Sequence, residues 1–139
     1  MQKENLFEPR CIRTFTGKYV NVFEPTEDMI CIEDIAHSLS MQPRFGGHLP
    51  VFYSVAEHSF RCAELVPNKF KLETLLHDAA EAYLLDLPSP IKAEIKEYKK
   101  IEHNLMKVIA QKFGLKYPFH DIIKQADAMM LNDEWNKLM

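Results

Sequence analysis

Cysteine is scarce in this chain. Cys11, Cys31 and Cys62 make an odd count without a Cys-x-x-Cys pair. That argues against a disulfide framework and against a zinc ribbon. It leaves incidental free thiols in a reducing compartment. No apolar run approaches the roughly 18 residues of a membrane span. The stretch Met1-Gln2-Lys3-Glu4-Asn5 is polar and lacks the apolar segment of a secretion signal. The expectation is a soluble, cytoplasmic protein with no membrane partner. A basic excess is also missing: 17 Lys and Arg face 20 Asp and Glu, for a net charge of −3. A nucleic-acid polymer is therefore not the expected partner. Small anions remain possible ligands, because a few local Arg or Lys side chains suffice for them. There is no internal repeat and no low-complexity tract.

Apolar residues make up 47% of 139 positions, enough for one domain, 1–139, with a real core. Residues 11–25 alternate apolar and polar around Gly17-Lys18, which predicts a β-hairpin. A lone hairpin is marginal, so it must lean on helices. Those are expected over 33–138. A short helix covers Glu33 to Leu39, and a loop with Pro43, Gly46, Gly47 and Pro50 follows. Ser54 with Glu57 reads as a capping box opening a helix to about Val66. A helix from about Lys69 to Leu85 follows Pro67-Asn68. Leu87-Pro88-Ser89-Pro90 reads as a rigid turn. A long helix spans about Glu94 to Phe113 and stops at Gly114, and Pro118 restarts a last helix. The fold class is mainly α, with about five to six helices and one small β element.

His77 and Asp78 interrupt an apolar helical pattern in the stretch 72–85. Burying an ionisable pair there is costly unless something satisfies it. A divalent metal would, since imidazole nitrogen and carboxylate oxygen are ligands that intermediate metals accept. Glu81 lies four residues from His77 and three from Asp78, so one turn of helix would offer a metal-ligand pair with a carboxylate beside it. His58 lies on the preceding helix and Asp127 among apolar neighbours on the last. Three helices converging on one ion is how bundles build metal sites. A second pair, His120-Asp121, follows Pro118 at a helix start. There an acid suits the dipole and can cap, so this copy reads as structural. His37 and His103 are read the same way.

The order His58, His77-Asp78, Asp127 resembles that of the HD-domain metal-dependent phosphohydrolases. Ala56-Glu57-His58-Ser59, Leu76-His77-Asp78-Ala79-Ala80-Glu81 and Asp86-Leu87-Pro88-Ser89-Pro90-Ile91-Lys92 are similar to the branch that contains bacterial 5′-deoxynucleotidases. Ile12-Arg13-Thr14-Phe15-Thr16-Gly17, Asp34-Ile35-Ala36-His37 and Arg44-Phe45-Gly46-Gly47-His48 resemble a related bacterial and phage subgroup. The resemblance implies an HD-domain helical bundle whose metal ligands are His58, His77, Asp78 and Asp127. It implies one divalent ion, with Mn, Co, Fe, Zn, Ni and Mg all open. It places Glu81 at the attacking water or leaving group, Asp86 near sugar and water, and Arg44 on the phosphate. Phe45 stands where that branch has Trp, which bears on sugar discrimination. His48 is extra and is a candidate for phosphate or a second ion. Lys92 is either a substrate contact or a solvated lysine. Members of the family are often dimers, so a homodimer is an open expectation.

The implied activity is hydrolysis of a nucleoside 5′-monophosphate or a similar phosphomonoester, a small phosphorylated substrate. Hydrolysis of a phosphodiester or an alarmone pyrophosphate on the same fold is an alternative. Ala82 counts against the alarmone version, whose proteins look like His-Asp-x-x-Glu-Asp. A metal- or nucleotide-binding regulatory protein without turnover is the third reading, and Glu81 and Arg44 argue against it. Lys92, Lys96, Lys99 and Lys100 are interleaved with Glu94, Glu97 and Glu102, which describes a solvated helix face.

Overall fold

The computed structural model describes residues 9–139, so the polar stretch Met1 to Asn5 lies outside the described residues. The alternating segment forms the expected hairpin. Strand β1 (Cys11–Arg13) pairs antiparallel with β2 (Tyr19–Asn21), with Ile12 opposite Val20. Gly17 at φ +90° makes the reversal possible, a conformation a side chain would resist. A 3-10 turn at Glu27–Met29 leads into helix α1 (Ile32–Met41). Helix α2 (Val55–Ala63) opens at Ser54, whose hydroxyl accepts from the Glu57 amide at 3.0 Å. Glu57 does not return the bond, because its carboxylate pairs with Arg61 one turn on. The helix ends three residues before Val66.

The pattern over 69–85 predicts one helix, and the chain breaks it. A 3-10 turn (Asn68–Phe70) runs into α3 (Lys71–Leu75), a turn covers 76–80, and α4 (Glu81–Leu84) follows. The break has a local cause. The Thr74 carbonyl accepts both the His77 amide, at 3.3 Å, and the His77 ring Nδ1, at 2.6 Å. A side chain thus competes for an acceptor that a continuous α-helix would use. Three-residue bonds then carry the backbone onward: Ala79 to Leu76, Glu81 to Asp78 and Ala82 to Ala79. His77 and Asp78 therefore sit on a tightened turn, not on a mid-helix face.

The proline turn is also shorter than the pattern implies. Ser89 to Glu94 form helix α5, with Pro90 in its first turn, where a missing N–H costs nothing. Helix α6 (Lys96–Phe113) stops at Gly114, left-handed at φ +68°, and the Leu115 amide caps the Ala110 carbonyl. Helix α7 (Asp121–Leu138) completes the described chain. Mainly α architecture, with seven helices and a two-stranded hairpin among the described residues, is thus the observed class. No helix among the described residues is long and apolar enough to cross a membrane.

Ile35, Leu39, Val55, Leu76, Leu105 and Ile109 are buried in one apolar cluster. Each contributes about 1.5–3 kcal/mol relative to exposure. In that core α1 packs against α2 and α4, while α2 also packs against α3 and α7. Helix α2 thereby brings the turn after α3 and the face of α7 into reach of its own buried residue, His58.

Candidate metal centre

His58 is fully buried on α2. Its Nδ1 lies 2.7 Å from Glu134 Oε2, and its Nε2 lies 2.7 Å from Asp127 Oδ1 and 3.9 Å from Asp78 Oδ2. His77 Nε2 lies 3.2 Å from Asp78 Oδ2 and 3.3 Å from Asp127 Oδ1. The outer nitrogen of each ring is committed. A carbonyl only accepts, so His77 Nδ1 must donate to Thr74. Glu134 is held ionised, its pKa lowered because bonds from His58 and Tyr53 outweigh burial. His58 Nδ1 therefore donates as well. In the neutral rings both Nε2 lone pairs then point at two carboxylate oxygens.

Four acceptors cannot converge in this way without positive charge among them. Either a proton on each Nε2 or a shared cation satisfies them. With protons, burial opposes the charge on His58. Its bonds to Asp127, Cys62 and Glu134 prevail, and the pKa rises from 6.5 to about 11. His77 is likewise raised, against burial, by Asp78 and Asp127. Asp127 is pushed well below the usual carboxylate range, because both histidines outweigh its burial. With a cation, two imidazole nitrogens and two carboxylate oxygens form a donor set suited to intermediate divalent metals. The residues present fit such an ion. Outer hydrogen bonds fixing each ring, here to Glu134 and Thr74, are the usual support of metal-binding histidines.

His58, Cys62, His77 and Asp127 each offer one atom within 4.8 Å of the others, a group that could hold a metal. Cys62 is the poorest fit among them. Its Sγ is 3.4 Å from His58 Nε2 and 4.0 Å from Nδ1. Standing nearly equidistant from both nitrogens, it lies abreast of the ring and off the line of the Nε2 lone pair. Asp78 Oδ2 faces both rings and is better placed.

The carboxylates that meet the two histidines open onto a cleft of about 790 Å³. Asp78, Asp127, Glu81, Asp86, Arg44, Phe45, His48 and Lys92 all line it. The structure thus gathers the candidate catalytic and substrate residues around one cleft, with His58 and His77 behind Asp78 and Asp127. Asp127 has a half-exposed side chain, so the centre opens toward the cleft. Glu81 is buried and its Oε2 has no protein partner. Burial first, then the charges of Asp78 and Asp86, hold its carboxyl well above the ordinary carboxylate range. It is a protonated acid near neutral pH. Arg44 donates through Nη2 to Glu134 Oε1 at 2.9 Å and stacks over Phe45. Lys92 pairs with Glu102 at 2.7 Å, so its charge is partly spent within the protein. The Asp86 amide donates to Gln42 Oε1 at 3.1 Å, while Gln42 Nε2 donates to the Glu81 carbonyl at 2.9 Å.

Sequence reasoning missed Glu134, Tyr53, Trp135 and Gln42. Glu134 carried a signal. It follows Asp127 by two helical turns on α7, so the two acids share a face. His37 and His103 lie outside this cleft, against Phe15 and Tyr117 respectively.

No family model matches the chain. Curated relatives do. An uncharacterized protein of Escherichia coli, YfdR, is 46% identical over 123 residues, covering 88% of this chain and 69% of that protein. An uncharacterized protein of Rhodobacter capsulatus is 36% identical over 131 residues, covering 84% of this chain and 67% of its own length. A 5′-deoxynucleotidase of Vibrio parahaemolyticus is 30% identical over 125 residues, covering 75% of this chain and 56% of that protein. A helical protein with a two-histidine, two-carboxylate cleft is therefore the class defined here. Within it, the chain belongs to the family of YfdR and the Rhodobacter protein.

Proposed function

We propose that this chain, as one HD-type domain, is a divalent-metal-dependent phosphohydrolase acting on a nucleoside 5′-monophosphate or a similar phosphomonoester. The observation that carries the reading is the convergence of His58, His77, Asp78 and Asp127 beside a cleft that the two aspartates and buried Glu81 line. The 30% identity to a 5′-deoxynucleotidase supports the choice of bond.

An ion held by those four side chains would lower the pKa of a bound water and offset charge on the phosphoryl oxygens. The remaining work falls to the protein. Glu81, protonated near neutrality, gives its proton to the departing ester oxygen. Arg44 has donors beyond the one on Glu134, and its buried Nε is unpartnered. Its planar fork suits the non-bridging oxygens of a phosphate. Asp86, near the mouth, accepts from a sugar hydroxyl or orients water. Phe45 and Trp135, edge to face at 6.3 Å, offer an apolar wall for a base. His48 and Lys92 add polar contacts at the rim. The cytoplasm, where mononucleotides are abundant, is the proposed setting.

A panel of mononucleotides, cyclic nucleotides and an alarmone, assayed with several added metals, tests this reading. Inorganic phosphate released from monoesters alone is expected. Turnover of the diester or pyrophosphate instead, or of none with any metal, would overturn it.

A further inference from the structure

Helix α7 carries a second buried acid that this chemistry leaves unused. Glu134 is 2% exposed and gathers three donors. The Tyr53 hydroxyl reaches Oε2 at 2.5 Å, His58 Nδ1 reaches Oε2 at 2.7 Å, and Arg44 Nη2 reaches Oε1 at 2.9 Å. Its two oxygens thus serve different sides of the cleft. One holds the ring whose far nitrogen faces the candidate ion, and the other holds the guanidinium that faces the candidate phosphate.

The Arg44 segment has reason to need such a tether. Phe45, Gly46 and Gly47 all have positive φ, at 56°, 61° and 81°. That is a strained path for Phe45 and leaves the loop without a repeating backbone ladder. Two backbone bonds tie its ends: the Arg44 amide to the Tyr53 carbonyl at 2.8 Å and the His48 amide to the Phe45 carbonyl at 3.0 Å. The side chains of Arg44 and Phe45 are fixed from α7, by Glu134 and by its neighbour Trp135.

We infer that Glu134 is a positioning residue that builds the cation and anion subsites at once, aiming His58 Nε2 at the ion and Arg44 at the phosphate. This rests on the site reading given above. A single substitution should then weaken two kinds of binding that no direct contact with either ligand explains.

The test uses the full chain, with Mn²⁺ and inorganic phosphate as probes and circular dichroism as the check on folding. In Glu134→Gln, Mn²⁺ affinity should fall on the order of 10–100-fold, as for loss of an outer partner of a metal ligand. Phosphate affinity of the Mn²⁺-loaded protein should fall as well. Arg44→Ala should lose phosphate affinity and keep Mn²⁺ affinity. Combining the two substitutions should cost no more phosphate affinity than the worse of them alone, because both break one contact. Glu134→Asp keeps the charge and should recover part of the Mn²⁺ affinity.

A folded Glu134→Gln protein with both affinities unchanged, or with only one changed, overturns the inference. Should that variant fail to fold, ¹⁵N spectra of the zinc-loaded wild type decide. His58 protonated at Nδ1 is expected, and a ring bound through Nδ1 overturns the inference. The wider reading fails separately: wild type that binds Mn²⁺ but hydrolyses no ester would sink the proposed activity and leave these affinities to stand.

Discussion

The chain contains the dipeptide His-Asp twice, at 77–78 and at 120–121, and the two copies are built in opposite ways. His77 donates from Nδ1 to the Thr74 carbonyl, which turns an Nε2 lone pair toward Asp78 and Asp127. His120 accepts at Nδ1 from the Ile122 amide and is the N-cap of α7. Its hydrogen in the neutral ring is therefore on Nε2, and the ring leans on Phe70 with centroids 4.8 Å apart. Asp78 faces two imidazoles, whereas Asp121 is exposed in a first helical turn. What separates a candidate ligand from a cap is thus the backbone group that meets Nδ1. A carbonyl frees Nε2 for a metal, and an amide at a helix start consumes Nδ1 in capping.

The largest effect should come from exchanging the fates of the two acids. Wild type is expected to hold one divalent ion per chain, measured by elemental analysis. Asp78→Ala should lose it, and phosphate release with it, while Asp121→Ala keeps both. Full occupancy in Asp78→Ala would remove the contrast. Next in size is Glu81, the buried acid reached only from the first copy. Glu81→Gln should retain the ion and lose about 10²–10⁴ in kcat, the usual worth of a positioned acid. An unchanged kcat would make Glu81 a structural residue.

Protons sharpen the comparison further. His58, with its pKa raised to about 11 in the ion-free protein, is charged at pH 7, and the His77 pKa is raised as well by Asp78 and Asp127 against its burial. Metal ligation requires both rings neutral, and binding should release at least the His58 proton per ion. Calorimetric heats in buffers of different ionisation enthalpy would read that number; heats independent of the buffer would contradict it. The sign for stability is the reverse of an acid's. His58 has a folded pKa of about 11 against 6.5 unfolded. Its contribution is complete below pH 6.5, shrinks as pH climbs, and is gone above about 11. The melting temperature of chelator-treated protein should therefore decline across that window, and a His58→Asn variant should decline less.

Local chemistry made much of this legible from sequence. Gly17 marked the hairpin, Ser54 the start of α2 and Gly114 the end of α6, because each acts through its own or adjacent backbone. The four candidate ligands were legible because ionisable groups stand out among apolar neighbours. Two features were not. The break at His77 depends on a ring bonding back to the Thr74 carbonyl, which helical periodicity does not register. Glu134 meets His58 across 76 positions, and its one signal, the helix face it shares with Asp127, does not point to that partner. In Asp133-Glu134-Trp135, at the end of a helix, a buried acid reads like a solvated one.

The smallest expected effects belong to the second copy, and they test whether it is only a cap. His120→Ala removes the acceptor for the Ile122 amide. The loss should cost about 0.5–1 kcal/mol, the low end for cap removal, or roughly 1–5 °C in melting temperature for a chain of this size. Asp121→Ala should cost about 0.3–1 kcal/mol through the helix dipole, and less in high salt. Neither should change ion content or the proton count on binding, since His120 directs no free nitrogen toward Asp127. The same helix, however, carries both Asp127 and Glu134. If fraying its first turn by His120→Ala lowered ion affinity, the cap would be positioning the ligand seven residues on, and the two copies would be parts of one device.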